Sequence, residues 1–259
     1  MITSTGNEKI KYVGKCIKQA KERKKHGVFI VEGVRMFSEI PRDYHVESFA
    51  TKEFYDKNEK LFDGLEFEIV SDNVMESLSD TKTPQGVISI VRQFSYDVIG
   101  QSMSGKTAPL IIALENIQDP GNLGTIIRTS EGAGVTGVIL SSGTVDIYNP
   151  KTVRSTMGSI FRVPFTYVEN LKDSIKRLSE SGFATYSAHL QGTSFYDFDY
   201  KKPTVFVMGN EGNGLSKERS NATDHKILIP MKGEVESLNV ATASTVLMYE
   251  AMRQRSLKF

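Results

Sequence analysis

The chain has a single cysteine, Cys16, so it can form neither an internal disulfide nor a cysteine-based metal cluster, and a reducing cytosol suits it. It also lacks any long hydrophobic run. The N-terminal MITSTGNEKIKYV has no apolar stretch of the signal-peptide kind, and runs such as residues 110–114 are far shorter than a membrane span. The expectation is a cytoplasmic protein, neither anchored nor exported. The net charge is only +1, which by itself indicates no nucleic-acid partner. No extreme charge or Pro/Gly bias points to long disorder, and 39% apolar with 24% charged residues suffices for a packed core. At 259 residues, two domains are expected.

What charge there is lies unevenly. Lys9, Lys11, Lys15, Lys18, Lys21, Arg23, Lys24 and Lys25 are opposed within that stretch only by Glu22. Such a stripe is either a solvated helix face or a phosphate-neutralising surface with salt-dependent, sequence-blind affinity.

Residues 1–94 alternate helical and extended patterns and read as a small α/β domain. A helix over residues 7–25 stops at Gly27, and strands follow at 28–31, 46–50, 65–70 and 87–91. Helical spacing separates them at 34–40, 52–62 and 74–78, the last with Asp72 as its cap. Residues 95–108 lose the apolar pattern and have the composition of a linker. From 109 to 259 the pattern is strand then helix, with strands at 110–114, 135–140, 184–188, 204–208 and 227–229. Helices are expected near 151–159, over 171–181 and over 240–254, where Val246, Leu247, Tyr249 and Met252 suit a buried face. This order implies a mostly parallel sheet covered on both faces, with ligands bound beyond the carboxyl ends of its strands.

GQSMSGKT, residues 100–107, matches the phosphate-loop pattern of a nucleotide triphosphatase. That loop needs a strand before it and a helix after it, because the helix N-terminus holds the phosphates. Here Lys106 and Thr107 are followed by Ala108, Pro109 and a strand, so the match is rejected.

Three segments of the second domain carry chemistry. In NIQDPGNLGTIIRTSEGAG, residues 116–134, a glycine-bearing turn lets backbone approach a ligand. Asn122 or a neighbour can cap a helix that carries Arg128 and Glu131 three residues apart; alone, that pair is equally a surface salt bridge. In VFVMGNEGNGLS, residues 205–216, a strand runs into Gly209, Gly212 and Gly214 with Asn210 and Glu211 between them, either an adenosine- or ribose-binding loop or a plain glycine hairpin. The spacing does not fit the dinucleotide fingerprint, which disfavours an oxidoreductase. In ILIPMKGEVESLNVATASTVLMYEA, residues 227–251, Pro230 ends a strand and Ser237 or Asn239 can cap a helix of small residues.

Together the three segments resemble the signature motifs of the SpoU, or TrmH, family of RNA ribose 2′-O-methyltransferases in the SPOUT superfamily. YNPKTVRSTMGSIFRVP, residues 148–164, resembles a further family segment. The stretch from NEKIKYVGK through HGVFIVEGVRM is similar to the family's substrate-binding domain. The resemblance covers nearly the whole chain. It implies a catalytic SPOUT domain at 109–259 with a parallel sheet and a deep trefoil knot, preceded by a ribosomal-protein-like α/β RNA-binding domain at 1–94. It implies a homodimer whose interface brings residues of one subunit near the cofactor of the other. The reaction implied is metal-free methyl transfer from S-adenosylmethionine to a ribose 2′-hydroxyl, most simply in 23S ribosomal RNA.

Carried over by motif, Gly209, Ile229 and Leu238 contact S-adenosylmethionine, with Glu211, Gly214 and Met231 nearby, and Asn122, Arg128, Glu131, Ser237 and Asn239 form the catalytic set. Lys9, Lys11, Lys15, Lys18, Arg35, Lys151 and Arg154 are the RNA-contact candidates. An arginine is a poor general base because its pKa lies above about 12, so Arg128 is read as fixing the ribose and stabilising the forming alkoxide. The proton then goes to a phosphate or to Glu131. Competing readings are a catalytically silent RNA-binding protein and the rejected triphosphatase, and transfer RNA is the alternative substrate.

Overall fold

The computed structural model describes residues 1–81, 83–104 and 108–256. Its contacts divide the chain into two units, Met1–Phe94 with Asp146–Phe161, and Ser95–Val145 with the chain from Arg162 onward.

The first unit opens with α1 (Glu8–Lys18), whose first turn is capped by the Asn7 side chain accepting from the Lys9 N–H. The single helix expected over 7–25 is two. Gln19 is extended (φ −127°, ψ 114°), and α2 (Ala20–His26) ends at left-handed Gly27. The break leaves carbonyls of α1 without helical partners, and the Arg23 guanidinium takes two of them, Cys16 O at 2.8 Å and Ile17 O at 3.0 Å. Arg23 is only 3% exposed and its Nη2 lies 2.6 Å from Asp146 Oδ2. It therefore leaves the basic stripe and serves the fold. β1 (Val28–Glu32), α3 (Val34–Ser38), β2 (His45–Thr51), α4 (Lys52–Asn58), β3 (Phe67–Val70), α5 (Asp72–Leu78) and β4 (Val87–Arg92) follow. Ser71, rather than Asp72, caps α5 by accepting from Val74 N–H. The strands form a mixed sheet in the order β1-β4-β2-β3, parallel only between β2 and β3. Ile10, Val13 and Cys16 of α1 and Val74, Met75 and Leu78 of α5 share one buried cluster with Ile30, Phe49 and Ile88 of the sheet.

In the second unit, α6 (Val98–Ser104) lies inside the stretch read from the sequence as a linker. Its Val98 and Ile99 are buried, and Val98 sits so close to Gly137 that a Cβ there would meet Val98 Cγ1 at 2.4 Å. Of the phosphate-loop match, residues 100–104 are helical within α6 and 105–107 lie outside the described residues. Then come β5 (Leu110–Leu114), α7 (Pro120–Gly132) and β6 (Gly137–Ser141). Next, α8 (Pro150–Thr156) belongs to the first unit, and β7 (Phe165–Val168), α9 (Leu171–Glu180), β8 (Ala184–Ser194), β9 (Thr204–Met208), α10 (Lys217–Ser220), β10 (His225–Leu228) and α11 (Val240–Ser256) complete the second. The sheet, in the order β10-β8-β9-β5-β6-β7, is parallel throughout, as the alternation of strand and helix requires.

β5, β6 and β9 are buried at every position. α11 packs on α7, β9 and β5. Its buried residues are Val240, Ala241, Ser244, Leu247, Met248, Glu250 and Ala251; of the expected face, Leu247 is buried, Val246 and Met252 are half-buried, and Tyr249 is 44% exposed. At its end Arg255 donates to the carbonyls of Tyr200, Ala108, Pro109 and Lys202 and fixes the helix to the sheet. No helix among the described residues is long and apolar enough to cross a membrane.

Candidate active site

Parallel strands send their loops to one end, and here a bulged part of β8 and the loops after β9 and β10 line a cavity of about 530 Å³, within the size range of cofactor sites. The loop after β9 is a tight hairpin: Asn210 and Gly214 exchange backbone hydrogen bonds at 3.0 and 2.9 Å, and Gly214 is left-handed (φ +64°). The Asn210 side-chain oxygen accepts from Gly212 N–H at 2.9 Å and Asn213 N–H at 3.1 Å. The hairpin folds back so closely that a Cβ on Gly209 would lie 2.1 Å from Leu215 N, so position 209 admits only glycine.

Glu211, at the hairpin tip, holds the loop after β5. Its carboxylate accepts from the Gln118 N–H at 3.1 Å, the Asp119 N–H at 3.2 Å and the Asn122 amide at 3.0 Å. Burial pushes the Glu211 carboxyl up, but the Asn122 amide and backbone N–H donors outweigh it, and its pKa lies below the ordinary value. Asn122 in turn accepts from the Asn239 amide at 3.0 Å, and Asn239 caps α11 by accepting from Ala241 N–H at 2.9 Å. Asp119, not Asn122, is the N-cap of α7, with Pro120 in its first turn. The loop after β5 is braced from below. Left-handed Asn116 and Ser141 exchange two 2.9 Å hydrogen bonds, and Gln118 Nε2 donates to Gly143 O at 2.9 Å.

Gly209, Glu211, Gly214, Ile229, Met231, Leu238, Ser237 and Asn239 all line the one cavity, and Asn122 is bound to two of them. Arg128 and Glu131 do not line it. Arg128 is exposed on α7 and has no hydrogen bond or ion pair among the described residues, while both carboxylate oxygens of Glu131 are held by Arg162. The sequence missed Ala188, His189, Leu190 and Glu236, which also line the cavity. Between β8 and β10 the register jumps from Ser187↔Lys226 to Thr193↔Ile227, so residues 188–192 bulge out of the ladder, and Ala188, His189 and Leu190 of that bulge line the cavity. The one signal for this was Gly192, where a Cβ would lie 2.6 Å from the Ile227 carbonyl carbon.

Among the described residues no lysine or arginine lines the cavity, whereas the carboxylates of Glu211 and Glu236 do, a balance that favours a cationic ligand. Ile229, Leu238 and Met208 supply apolar walls, and Asn210, Asn213 and Ser237 are polar residues of the lining. The lining fits a nucleoside that carries a positive charge, as S-adenosylmethionine does. Among the described residues no cluster of His, Cys, Asp and Glu could hold a metal ion.

Of the other candidates, Lys11, Lys15 and Lys18 are exposed along α1, and Lys151 is exposed on α8. Lys9 pairs with Glu47 and Glu68, Arg35 lies 3.8 Å from Glu39, and Arg154 pairs with Asp80 at 2.8 Å and Glu32 at 3.8 Å.

The fold and the cavity define a parallel-sheet α/β enzyme that binds a nucleotide-like cofactor at its strand ends. The family follows from comparison: the profile of the SpoU rRNA Methylase family matches residues 109–249, so the chain belongs to that family, and the MRM3-like substrate binding domain matches residues 7–89. The chain is 32% identical over 254 residues to 23S rRNA (guanosine(2553)-2'-O)-methyltransferase RlmP of Bacillus subtilis, spanning 96% of this chain and 97% of that one. It is 33% identical over 190 residues to the 23S rRNA (uridine(2479)-2'-O)-methyltransferase of Streptomyces viridochromogenes, spanning 71% and 66%. The crystal structure of AdoMet-bound rRNA methyltransferase from Sinorhizobium meliloti superposes with a TM-score of 0.88 at 30% identity, covering 99% of this chain and 98% of that one.

Proposed function

We infer that this protein methylates a ribose 2′-hydroxyl of 23S ribosomal RNA with S-adenosylmethionine as donor, acting in the cytoplasm. The observation that carries the reading is the convergence of Gly209, Ile229 and Leu238 on one cavity together with the Glu211–Asn122–Asn239 network. S-adenosylmethionine, when bound, supplies a methyl group on a positively charged sulfur. The chain's own contribution is to hold and screen. Gly209, Ile229 and Leu238 position the nucleoside largely through backbone, and Glu211 and Glu236 favour the positive charge. Ser237 and Asn239, at the cavity's edge before α11, meet the acceptor sugar. Holding the two reactants in line removes much of the entropic part of the barrier.

Arg128 lies off its own chain's cavity, exposed and unpaired among the described residues. In a homodimer it faces the cavity of the other copy, fixes the ribose and adjacent phosphate, and stabilises the alkoxide as the proton leaves. With Glu131 held by Arg162, the proton goes to the substrate phosphate or to solvent. The trefoil knot of the family, which threads the C-terminal segment beside the cavity, belongs to this reading.

RNA selection is assigned to residues 1–94 and catalysis to 109–259, with Lys11, Lys15, Lys18, Arg35 and Lys151 as phosphate contacts. Because the Tyr148 ring packs tilted against Phe29, centroids 4.7 Å apart, and Tyr148 hydrogen-bonds Phe94 within the first unit, cutting the chain at 94 would strand residues 146–161. Charge reversal of the exposed lysines is the cleaner separation of the two roles: rRNA affinity falls and cofactor affinity stays.

Mixing Arg128→Ala with Leu238→Arg chains tests the shared site. Each alone is inactive, and the mixture regains up to about a quarter of wild-type methyl transfer if each site draws on both copies. An inactive mixture would refute the dimeric site.

A further inference from the structure

A second cavity, of about 300 Å³, lies in the first unit, bounded by Phe54 of α4, Asp72, Met75 and Glu76 of α5, and Gln85 and Gly86 before β4. It is at the opposite end of chemistry from a phosphate site. Asp72 and Glu76, four residues apart and so on one face of α5, have no hydrogen bond or ion pair among the described residues. Like charges at that spacing repel, and both would repel a phosphate. The third carboxylate at the rim, Glu53, is already matched by Lys57 at 2.5 Å.

Buried Met75 and Phe54 give the cavity an apolar wall. Gln85 is fixed over Gly33: its Oε1 accepts from Val34 N–H at 3.0 Å, and a Cβ on Gly33 (φ +97°) would lie 2.7 Å from that oxygen. With Oε1 taken, the Gln85 amide is left with N–H donors. The first residue after Val34 is Arg35, a cation at the start of α3.

Lys57 also lines the cavity and, with Glu53 matched to it, leaves Asp72 and Glu76 as acceptors, so the lining fits a flat group with an apolar face, neighbouring N–H donors for the carboxylates and a carbonyl for the Gln85 amide, tethered to a phosphate outside. Resting on the RNA reading above, we propose that this cavity takes an everted guanine base of the substrate RNA, whose N1–H and exocyclic amino group meet Glu76 and Asp72 and whose O6 meets Gln85. Unpaired RNA bases are read in this way, on their Watson–Crick edge and against an apolar or aromatic face. Carboxylates accept only, and guanine alone among the four bases offers two adjacent donors; uracil has one imino N–H, and adenine and cytosine one amino group. The residues lie inside 7–89, the stretch that matches a substrate-binding domain.

The test uses the full-length chain and in vitro transcribed 23S rRNA. Glu76→Gln, at an exposed helix position, and Gln85→Glu, which keeps an acceptor for Val34 N–H but removes the amide donor, each weaken rRNA binding about tenfold, the loss of one base-edge hydrogen bond in a charged site. S-adenosylmethionine affinity by calorimetry stays at the wild-type level in both. Photocrosslinking with 6-thioguanosine-substituted rRNA labels the peptide that spans residues 72–86, and the labelling is lost in Glu76→Gln. Wild-type rRNA affinity in both variants, or guanosine crosslinks confined to peptides outside residues 51–86, would overturn the proposal. The methyl-transfer reading stands or falls separately, on whether the wild-type chain methylates the transcript.

Discussion

The Asn239 side-chain amide donates to the Asn122 side-chain oxygen at 3.0 Å across 117 residues of sequence, joining the start of α11 to the start of α7. Asn239 also caps α11, so the same side chain organises a helix and one wall of the cavity. Asn239→Ala removes both functions: the cap alone is worth about 1 kcal/mol, a fall of about 2 to 4 °C in Tm for a chain of this size. Asn239→Asp keeps the cap and loses the donor to Asn122. Its expected signature is a wild-type melting curve with strongly reduced methyl transfer; equal damage in both variants would make Asn239 a purely structural residue.

Gly209 is a second point of failure. With Leu215 N only 2.1 Å from where its Cβ would sit, Gly209→Ala forces the hairpin off β9. Affinity for S-adenosylmethionine drops at least about tenfold by calorimetry, while the mixed sheet of the first unit is untouched. Unchanged affinity would mean that the hairpin does not shape the cofactor site.

Glu211 predicts the acid limb. Its folded pKa is depressed, so its contribution is fully present above the ordinary value of about 4.3 and is lost as pH falls through the lower folded value. Between neutrality and pH 5 the Gln118, Asp119 and Asn122 contacts hold, and cofactor affinity is flat on this account. Below the ordinary carboxylate range affinity falls in the wild type but not in Glu211→Gln, which starts weaker and stays so. Titration calorimetry across that range is the check, and an acid limb of equal steepness in both proteins would assign it elsewhere.

Arg128 acts through planar geometry in this account. Arg128→Lys keeps the charge and loses the fork, and kcat is expected to fall by about 100-fold or more with cofactor affinity unchanged. Near-normal turnover would show that charge alone is enough.

Arg23 carries a prediction of a different kind, because it belongs to the fold. Arg23→Met leaves Asp146 and the Cys16 and Ile17 carbonyls without their cation, a loss of about 3 kcal/mol in thermal or denaturant unfolding. RNA binding at temperatures where the variant is folded stays near wild type.

Arg23 also marks where sequence reasoning reaches its limit. Strands such as Leu110–Leu114 and Thr204–Met208 were legible to the residue, because each is a short apolar run closed by proline before it and by a polar or glycine residue after it. Phe165–Val168 was not, since a four-residue strand at the edge of the sheet buries only Phe165 fully and shows no clear period. Nor was α6, whose polar glycine-bearing sequence forms a helix through Val98 and Ile99 packing on β6. The motif residues that line the cavity were readable from their resemblance to a family. Their partners were not: Glu211 meets Gln118 from 93 residues away, and Glu131 takes Arg162 in place of its helical neighbour Arg128. Such pairings depend on which strand ends the topology brings together, and local spacing does not encode that.

The most direct test of the central claim is to incubate the full-length protein with 23S rRNA and S-adenosylmethionine labelled in its methyl group, then hydrolyse the RNA in alkali. A methylated 2′-oxygen blocks cleavage at its own nucleotide, so the account requires the label in alkali-resistant dinucleotides, absent with Arg128→Lys. Label released in mononucleotides, or none above the variant's background, would contradict it.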